Sequence, residues 1–282
     1  MSTRVDQAEK GRRFVALHER PGAFIIPNPW DAGTARILEG MGFEALTTTS
    51  AGLAFTLGKR DGEGRVTREE TLANARAIAD AVDLPVAADL ENGFAHAPEA
   101  AAETIRLAGG AGLVGGSIED STGDPKKPIY DLQHATERVH AAAEAARKLR
   151  FPFVFVGRCE NFLHGRPDLD DTIRRLQAYE QAGADCLYAP GLVTEAQIRA
   201  VCAAVTKPVN VVMGLKTSAF SVAELAAMGV RRISVGAALS RVALGAFLEA
   251  AKEIRERGTF GRLQTALPMA DAKDLVSGSP RV

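Results

Sequence analysis

Eight times along this chain a short apolar run gives way to an amphipathic stretch that ends just before the next run. The runs cover 23–27, 45–49, 86–90, 113–118, 153–157, 186–189, 209–213 and 233–235. They are nearly continuous in apolar residues rather than alternating, the pattern of strands covered on both faces. Helices are predicted between them over 32–41, 67–82, 98–110, 132–149, 169–182 and 195–204, then from Ser221 onward, and over 239–256. Their ends carry local signals. Thr67 reads as an N-cap, with Glu69 and Glu70 suited to the positive end of the helix dipole. Pro98 suits a first turn, and Gly109-Gly110 a stop. Met41-Gly42-Phe43, Ala182-Gly183-Ala184 and Met228-Gly229-Val230 close three helices in one manner. Such alternation predicts an α/β fold, a (β/α)8 TIM barrel forming a single domain over 1–282, with 258–282 as a C-terminal extension. The competing doubly wound sheet calls for a Gly-rich phosphate loop after the first strand, where this chain has N-P-W-D-A-G.

Composition narrows the function. The 282 residues are 46% hydrophobic and 24% charged, with net charge −1. One large core is affordable, and there is no basic excess for a nucleic-acid partner. No apolar run approaches the ~20 residues that span a bilayer. The polar start M-S-T-R-V-D-Q-A-E-K holds no signal peptide, so a cytoplasmic location is expected. The odd count of three cysteines argues against a disulfide framework. Cys159, beside Arg158, is either a reactive thiol or a small buried hydrophobe.

In a barrel the C-terminal strand tips share one face, where active sites sit. The tips read Asn28; Thr49 and Ser50; Asp89 and Glu91; Glu119 and Asp120; Arg158 and Glu160; then Tyr188, Asn210 and Met213. Polarity is concentrated on strands two to five. Carboxylates crowd together only where a cation neutralises them, and an all-oxygen set suits a hard ion such as Mg²⁺. Each residue has a plainer reading. Asp89 or Glu91 can cap a loop, Glu119 can pair with Lys126 or Lys127, and Arg158 can form a structural ion pair with Glu160. Ser50-Ala51-Gly52 can be a small-residue turn, and Asp61 an exposed turn residue.

The ordered set N-P-W-D-A-G-T-A-R, T-T-T-S-A-G-L-A-F-T-L-G-K-R-D-G, P-V-A-A-D-L-E-N-G-F, G-S-I-E-D-S-T-G-D and V-G-R-C-E-N-F resembles the isocitrate lyase / phosphoenolpyruvate mutase superfamily over residues 24–250. The resemblance implies a (β/α)8 barrel, dependence on Mg²⁺ (or Mn²⁺), 2-oxo acid or enolate chemistry, and a tetramer with the eighth helix swapped between paired subunits. By position, Asp89 matches the direct metal ligand, while Glu91 and Glu119 match carboxylates acting on the metal through water. Asp61 matches an acid near the metal and the substrate oxygen. Arg158 matches the arginine gripping the substrate's carboxylate or phosphonate end. Thr49, Ser50 and Ala51 match the turn holding the pyruvyl carboxylate.

The departures concern the reaction. Isocitrate-cleaving members carry a K-[KR]-C-G-H loop after strand four; here S-T-G-D-P-K-K-P holds neither Cys nor His. The mutase and phosphonopyruvate hydrolase carry a gating Lys and Asn there. Lys126 or Lys127 can supply the first, and no Asn follows. The expected activity is therefore Mg²⁺-dependent decarboxylation or carbon–carbon cleavage of an oxaloacetate-like 2-oxo acid through a metal-stabilised enolate. Catalysis would rest on Arg158, Asp61 and Glu119. A C–P bond enzyme and a non-catalytic 2-oxo acid binder are the alternatives.

Overall fold

The computed structural model describes residues 5–214 and 220–277. Eight parallel strands form one sheet: β1 (Phe24–Ile26), β2 (Leu46–Thr47), β3 (Val86–Asp89), β4 (Gly115–Glu119), β5 (Val154–Arg158), β6 (Cys186–Tyr188), β7 (Val209–Val212) and β8 (Arg232–Ser234). Each pairs with its sequence neighbour from β2 to β8, and β8 returns to β1. The Thr47 N–H donates to the Pro27 carbonyl at 3.1 Å, bringing β2 to β1 and closing the ring. The (β/α)8 barrel expected from the sequence is the observed fold.

The helices are α1 (Gln7–Glu19), α2 (Ala32–Gly40), α3 (Ser50–Thr56), α4 (Arg68–Ala81), α5 (Pro98–Gly110), α6 (Leu132–Arg147), α7 (Leu169–Gln181), α8 (Glu195–Ala204), α9 (Val222–Ala227), α10 (Ala238–Arg257) and α11 (Met269–Val276). Thr67 caps α4 in a reciprocal box with Glu70, as its sequence predicts. The main core lies between the strands and the helix ring, around Leu46, Ile78, Ile105, Phe155, Leu176 and Leu187. A second cluster fills the barrel floor, where α1 inserts Phe14 among Phe24, Ile26, Val154 and Val156. Phe14 fits because Gly115 has no side chain: a Cβ there would stand 2.6 Å from its ring. No described helix is long and apolar enough to cross a membrane.

Three helices were not expected. α1 buries Lys10, whose ammonium donates to the Val82 carbonyl at 2.6 Å, so its buried face is not an apolar stripe. α3 opens with Ser50-Ala51-Gly52, small residues that read as a turn. α11 packs against α2, and Arg36 Nη1 donates to the Val276 carbonyl at 2.9 Å. The extension thus returns to its own barrel as far as Ser277; residues 278–282 lie outside the described set. α10 differs from the other long helices. Of its 20 residues only Ser240 is buried, while Val242 and Phe247 are 70% and 71% exposed.

Candidate active site

Strand alternation decides which tip residues face inward. Asp89, Glu119 and Arg158 end β3, β4 and β5 and meet at one place. Arg158 Nη1 lies 3.3 Å from Asp89 Oδ1, and Nη2 lies 3.3 Å from Glu119 Oε2. Its Nε donates to Glu160 Oε1 at 2.6 Å. The guanidinium carbon stands 5.1 Å from the centre of the Tyr188 ring, a cation–π contact. The Arg158–Glu160 ion pair anticipated as the plain alternative is real, and it coexists with the site.

Glu119 does not pair with a loop lysine. It accepts from the Ser121 hydroxyl at 2.5 Å and faces Arg158, while Lys126 and Lys127 are exposed. Asp89 accepts from the Ser50 hydroxyl at 2.8 Å. Its own N–H donates to Thr48 Oγ1 at 3.1 Å. Thr49 is the N-cap of α3, accepting from Gly52 N–H at 3.2 Å, and Ala51 lines the cavity beside it. The 49–51 segment is therefore a capped helix start directed at Asp89.

Glu91 has a positive φ of 48°, unusual for a residue with a Cβ. Its N–H donates to Asp89 Oδ1 at 3.1 Å, and its carbonyl accepts from Glu119 N–H at 2.9 Å. Burial, then the charges of Asp89 and Asp61, push its carboxyl up to about 7, against the pull of Arg158. Asp61 lines both the cavity and its mouth. Partial enclosure, then Asp89, raises its carboxyl above the ordinary value, though its outer edge stays exposed. Burial also holds Glu119 well above the carboxylate range, with Arg158 opposing. Burial raises the Cys159 thiol well above its ordinary value and leaves it fully enclosed, so the small-hydrophobe reading holds.

Two tip residues serve the scaffold. Asn28 accepts from the N–H groups of Val235 and Gly236 at 2.9 Å each and donates to the Thr48 carbonyl, tying β8, β1 and β2 together. Asp120, next to Glu119, points out of the barrel. It accepts from Tyr179 at 2.6 Å, from Arg175 at 3.2 Å and from the Glu160 N–H at 2.7 Å. Arg232 was not singled out from the sequence. It lies on β8 beneath the tips and lines the same cavity, which encloses about 220 Å³.

The donor set fits a hard divalent ion. Asp61, Asp89, Glu91, Glu119 and Glu160 gather around the Arg158 cation, an anionic excess that costs free energy unless a further cation offsets it. Among the described residues no group of three or more His, Cys, Asp or Glu side chains is arranged to hold a metal ion by itself. Mg²⁺ does not require one, because it keeps several waters and binds through one or two carboxylates.

Comparison with known proteins agrees with this geometry. The family model described as phosphoenolpyruvate phosphomutase matches residues 14–255. The crystal structure of a candidate lyase/mutase from Burkholderia cenocepacia J2315 is 57% identical with TM-score 0.94, covering 98% of this chain and 99% of that one. The 2-methylisocitrate lyase of Escherichia coli (strain K12) is 28% identical over 90% of this chain and 89% of its own length. An oxaloacetate decarboxylase of Rhodopseudomonas palustris (strain ATCC BAA-98 / CGA009) is 31% identical over 64% of this chain and 62% of its own. With its barrel, its tip carboxylates and the match over residues 14–255, the chain belongs to the isocitrate lyase / phosphoenolpyruvate mutase superfamily of lyases and mutases.

Proposed function

We propose that this protein is a Mg²⁺-dependent carbon–carbon lyase acting on a small 2-oxo acid, by decarboxylation or cleavage of an oxaloacetate-like substrate. The observation that carries the reading is Arg158 held between Asp89, Glu119 and Glu160. Asp89 would hold the ion directly, with Glu91 and Glu119 acting through water. When bound, the ion supplies Lewis-acid stabilisation of the negative charge that develops on the substrate's keto oxygen.

The protein's own groups do the rest. Arg158 keeps Nε on Glu160, and a cation held by Asp89 and Glu119 would release its two Nη groups, each 3.3 Å from one of those acids, to fork onto a substrate carboxylate as a lysine cannot. Ser50 and the 49–51 backbone orient the carboxylate next to the keto group. Asp61, at the mouth and raised above its ordinary value, is placed to carry a proton to the product carbon. Ser121, Thr122 and Gly123 line the mouth and can limit water access.

Carbon–carbon chemistry is favoured over phosphoryl transfer because Lys126 and Lys127 are exposed and line neither the cavity nor its mouth. The exposed face of α10 supports assembly by exchange of this helix between subunits. The test is a panel of oxaloacetate, other 2-oxo acids and phosphonopyruvate, each with Mg²⁺ and with EDTA. Metal-dependent release of pyruvate from an oxo acid supports the proposal. Phosphate release from phosphonopyruvate, or ligand-induced stabilisation with no turnover, would replace it.

A further inference from the structure

Arg232 is a buried cation without a counter-ion. It is 5% exposed, and among the described residues it forms no ion pair. Its Nε and Nη1 atoms are buried and have no hydrogen-bond partner. The groups around it are the Cys186 thiol, the Tyr188 phenol, the neutral His18 ring and the Phe14 ring, whose centre lies 5.8 Å from the guanidinium carbon. None of these carries a negative charge at neutral pH. An arginine does not shed its proton to escape such a place. Burying an unpaired charge is costly, and proteins normally pair it or bring a ligand to it.

The surroundings have the character of a binding floor. Arg232 shares the cavity with Arg158 but lies lower, two residues before the end of β8. Asn210 spends its amide N–H on Ser234 Oγ at 3.1 Å, which leaves the Ser234 hydroxyl proton to be given elsewhere. Thr47 and Ser117 line the same cavity. Two cations thus stand at two levels of one cavity: Arg158 at the rim, spent largely on acids, and Arg232 at the floor, spent on none.

We propose that Arg232, with Ser234, is a second carboxylate subsite, and that the substrate is a 2-oxo diacid whose keto end lies at Arg158 and the 49–51 turn while its far carboxylate points down the barrel axis. The inference deepens the lyase reading and rests on it for the position of the keto end. A carboxylate here would stand against the guanidinium where Arg232 lines the cavity and would offset its charge.

The experiment measures binding of 2-oxoglutarate and 2-oxopentanoate, equal in chain length and differing in the terminal carboxylate, with oxalate as a probe of the metal end alone. Titrations in Mg²⁺ compare the parent protein with Arg232→Met and Arg232→Lys. The parent should prefer the diacid. Arg232→Met should bind it about tenfold to a hundredfold more weakly, as expected for loss of a buried charge-assisted contact. It should leave 2-oxopentanoate and oxalate unaffected, and should melt at or above the parent temperature because an unpaired buried charge is gone. Arg232→Lys should retain part of the preference, which separates lost charge from lost shape. A preference that survives in Arg232→Met, or none in the parent, overturns the subsite. Oxalate binding that ignores Mg²⁺ would instead count against the metal reading and leave the subsite to be judged by the oxo-acid pair.

Discussion

Glu160 accepts a hydrogen bond from Arg158 Nε at 2.6 Å and is itself held through its backbone N–H by Asp120. The relationship fixes which acid each edge of the guanidinium meets. With Nε anchored, both Nη atoms turn toward Asp89 and Glu119.

Glu160→Gln should therefore act on Arg158 rather than on the metal. The amide still accepts from Nε, but without charge and with less directional hold. Affinity for oxalate should fall about tenfold, roughly the worth of a charge-assisted contact, with Mg²⁺ affinity little changed. Calorimetric titration of each ligand checks this. An equal loss of both would show that Glu160 supports the whole site rather than the arginine.

Asp120 is expected to matter for folding. It is 3% exposed and accepts from Tyr179, Arg175 and the Glu160 N–H. Asp120→Asn leaves Arg175 with Asp171 alone as its carboxylate and strips charge from three bonds. Breaking a buried ion pair of this kind costs about 3 kcal/mol. Urea unfolding should show a loss of that order, whereas a loss comparable to a surface substitution would contradict it.

His18 sets a pH dependence of stability. Burial, then the charge of Arg232, depresses its pKa from the ordinary 6.5 to about 3 in the folded chain. Nδ1 bonds the Phe14 carbonyl at 2.8 Å, and the ring stands edge-on to Phe14 and Phe24. Below pH 6.5 the unfolded chain takes up a proton that the folded chain refuses. The stabilisation from neutral His18 is thus complete above that pH and is lost as pH falls toward 3. Between pH 7.5 and 5.5 the parent should lose about 1.4 kcal/mol more than His18→Gln. Parallel curves for the two would refute the assignment.

The open face of α10 predicts association. Phe247 and Val242 are solvated in the single chain, an arrangement that favours burial against another copy. The parent should sediment as an oligomer, and Phe247→Glu should shift it toward smaller species while far-UV circular dichroism is retained. A parent that sediments as a monomer would remove the case for helix exchange.

Much of this was legible in the sequence, for physical reasons. A charged residue closing an apolar strand must have a use or a partner, and this marks Asp89, Glu119 and Arg158. The helix boundaries follow from caps such as Thr67 and Ser221, whose side chains bond the turns they precede. Harder to read was the direction of neighbouring residues. Glu119 and Asp120 are both acids at one tip, yet the first faces the cavity and the second faces α7, and only the strand's register decides between them. Arg231 and Arg232 pose the same problem, which hid a floor cation inside an ordinary basic pair. α1 was missed because it buries Lys10 and Gly11 beside Phe14, breaking the apolar stripe that betrays a helix.

The most direct trial of the account is calorimetric titration of Mg²⁺ into the parent and Asp89→Asn, with pyruvate release from oxaloacetate followed on the same samples. The parent should bind one ion per chain and turn over only when it is bound, and Asp89→Asn should lose both properties while keeping its melting temperature. Ion binding and turnover that persist in Asp89→Asn would contradict the claim that the tip carboxylates hold a catalytic cation.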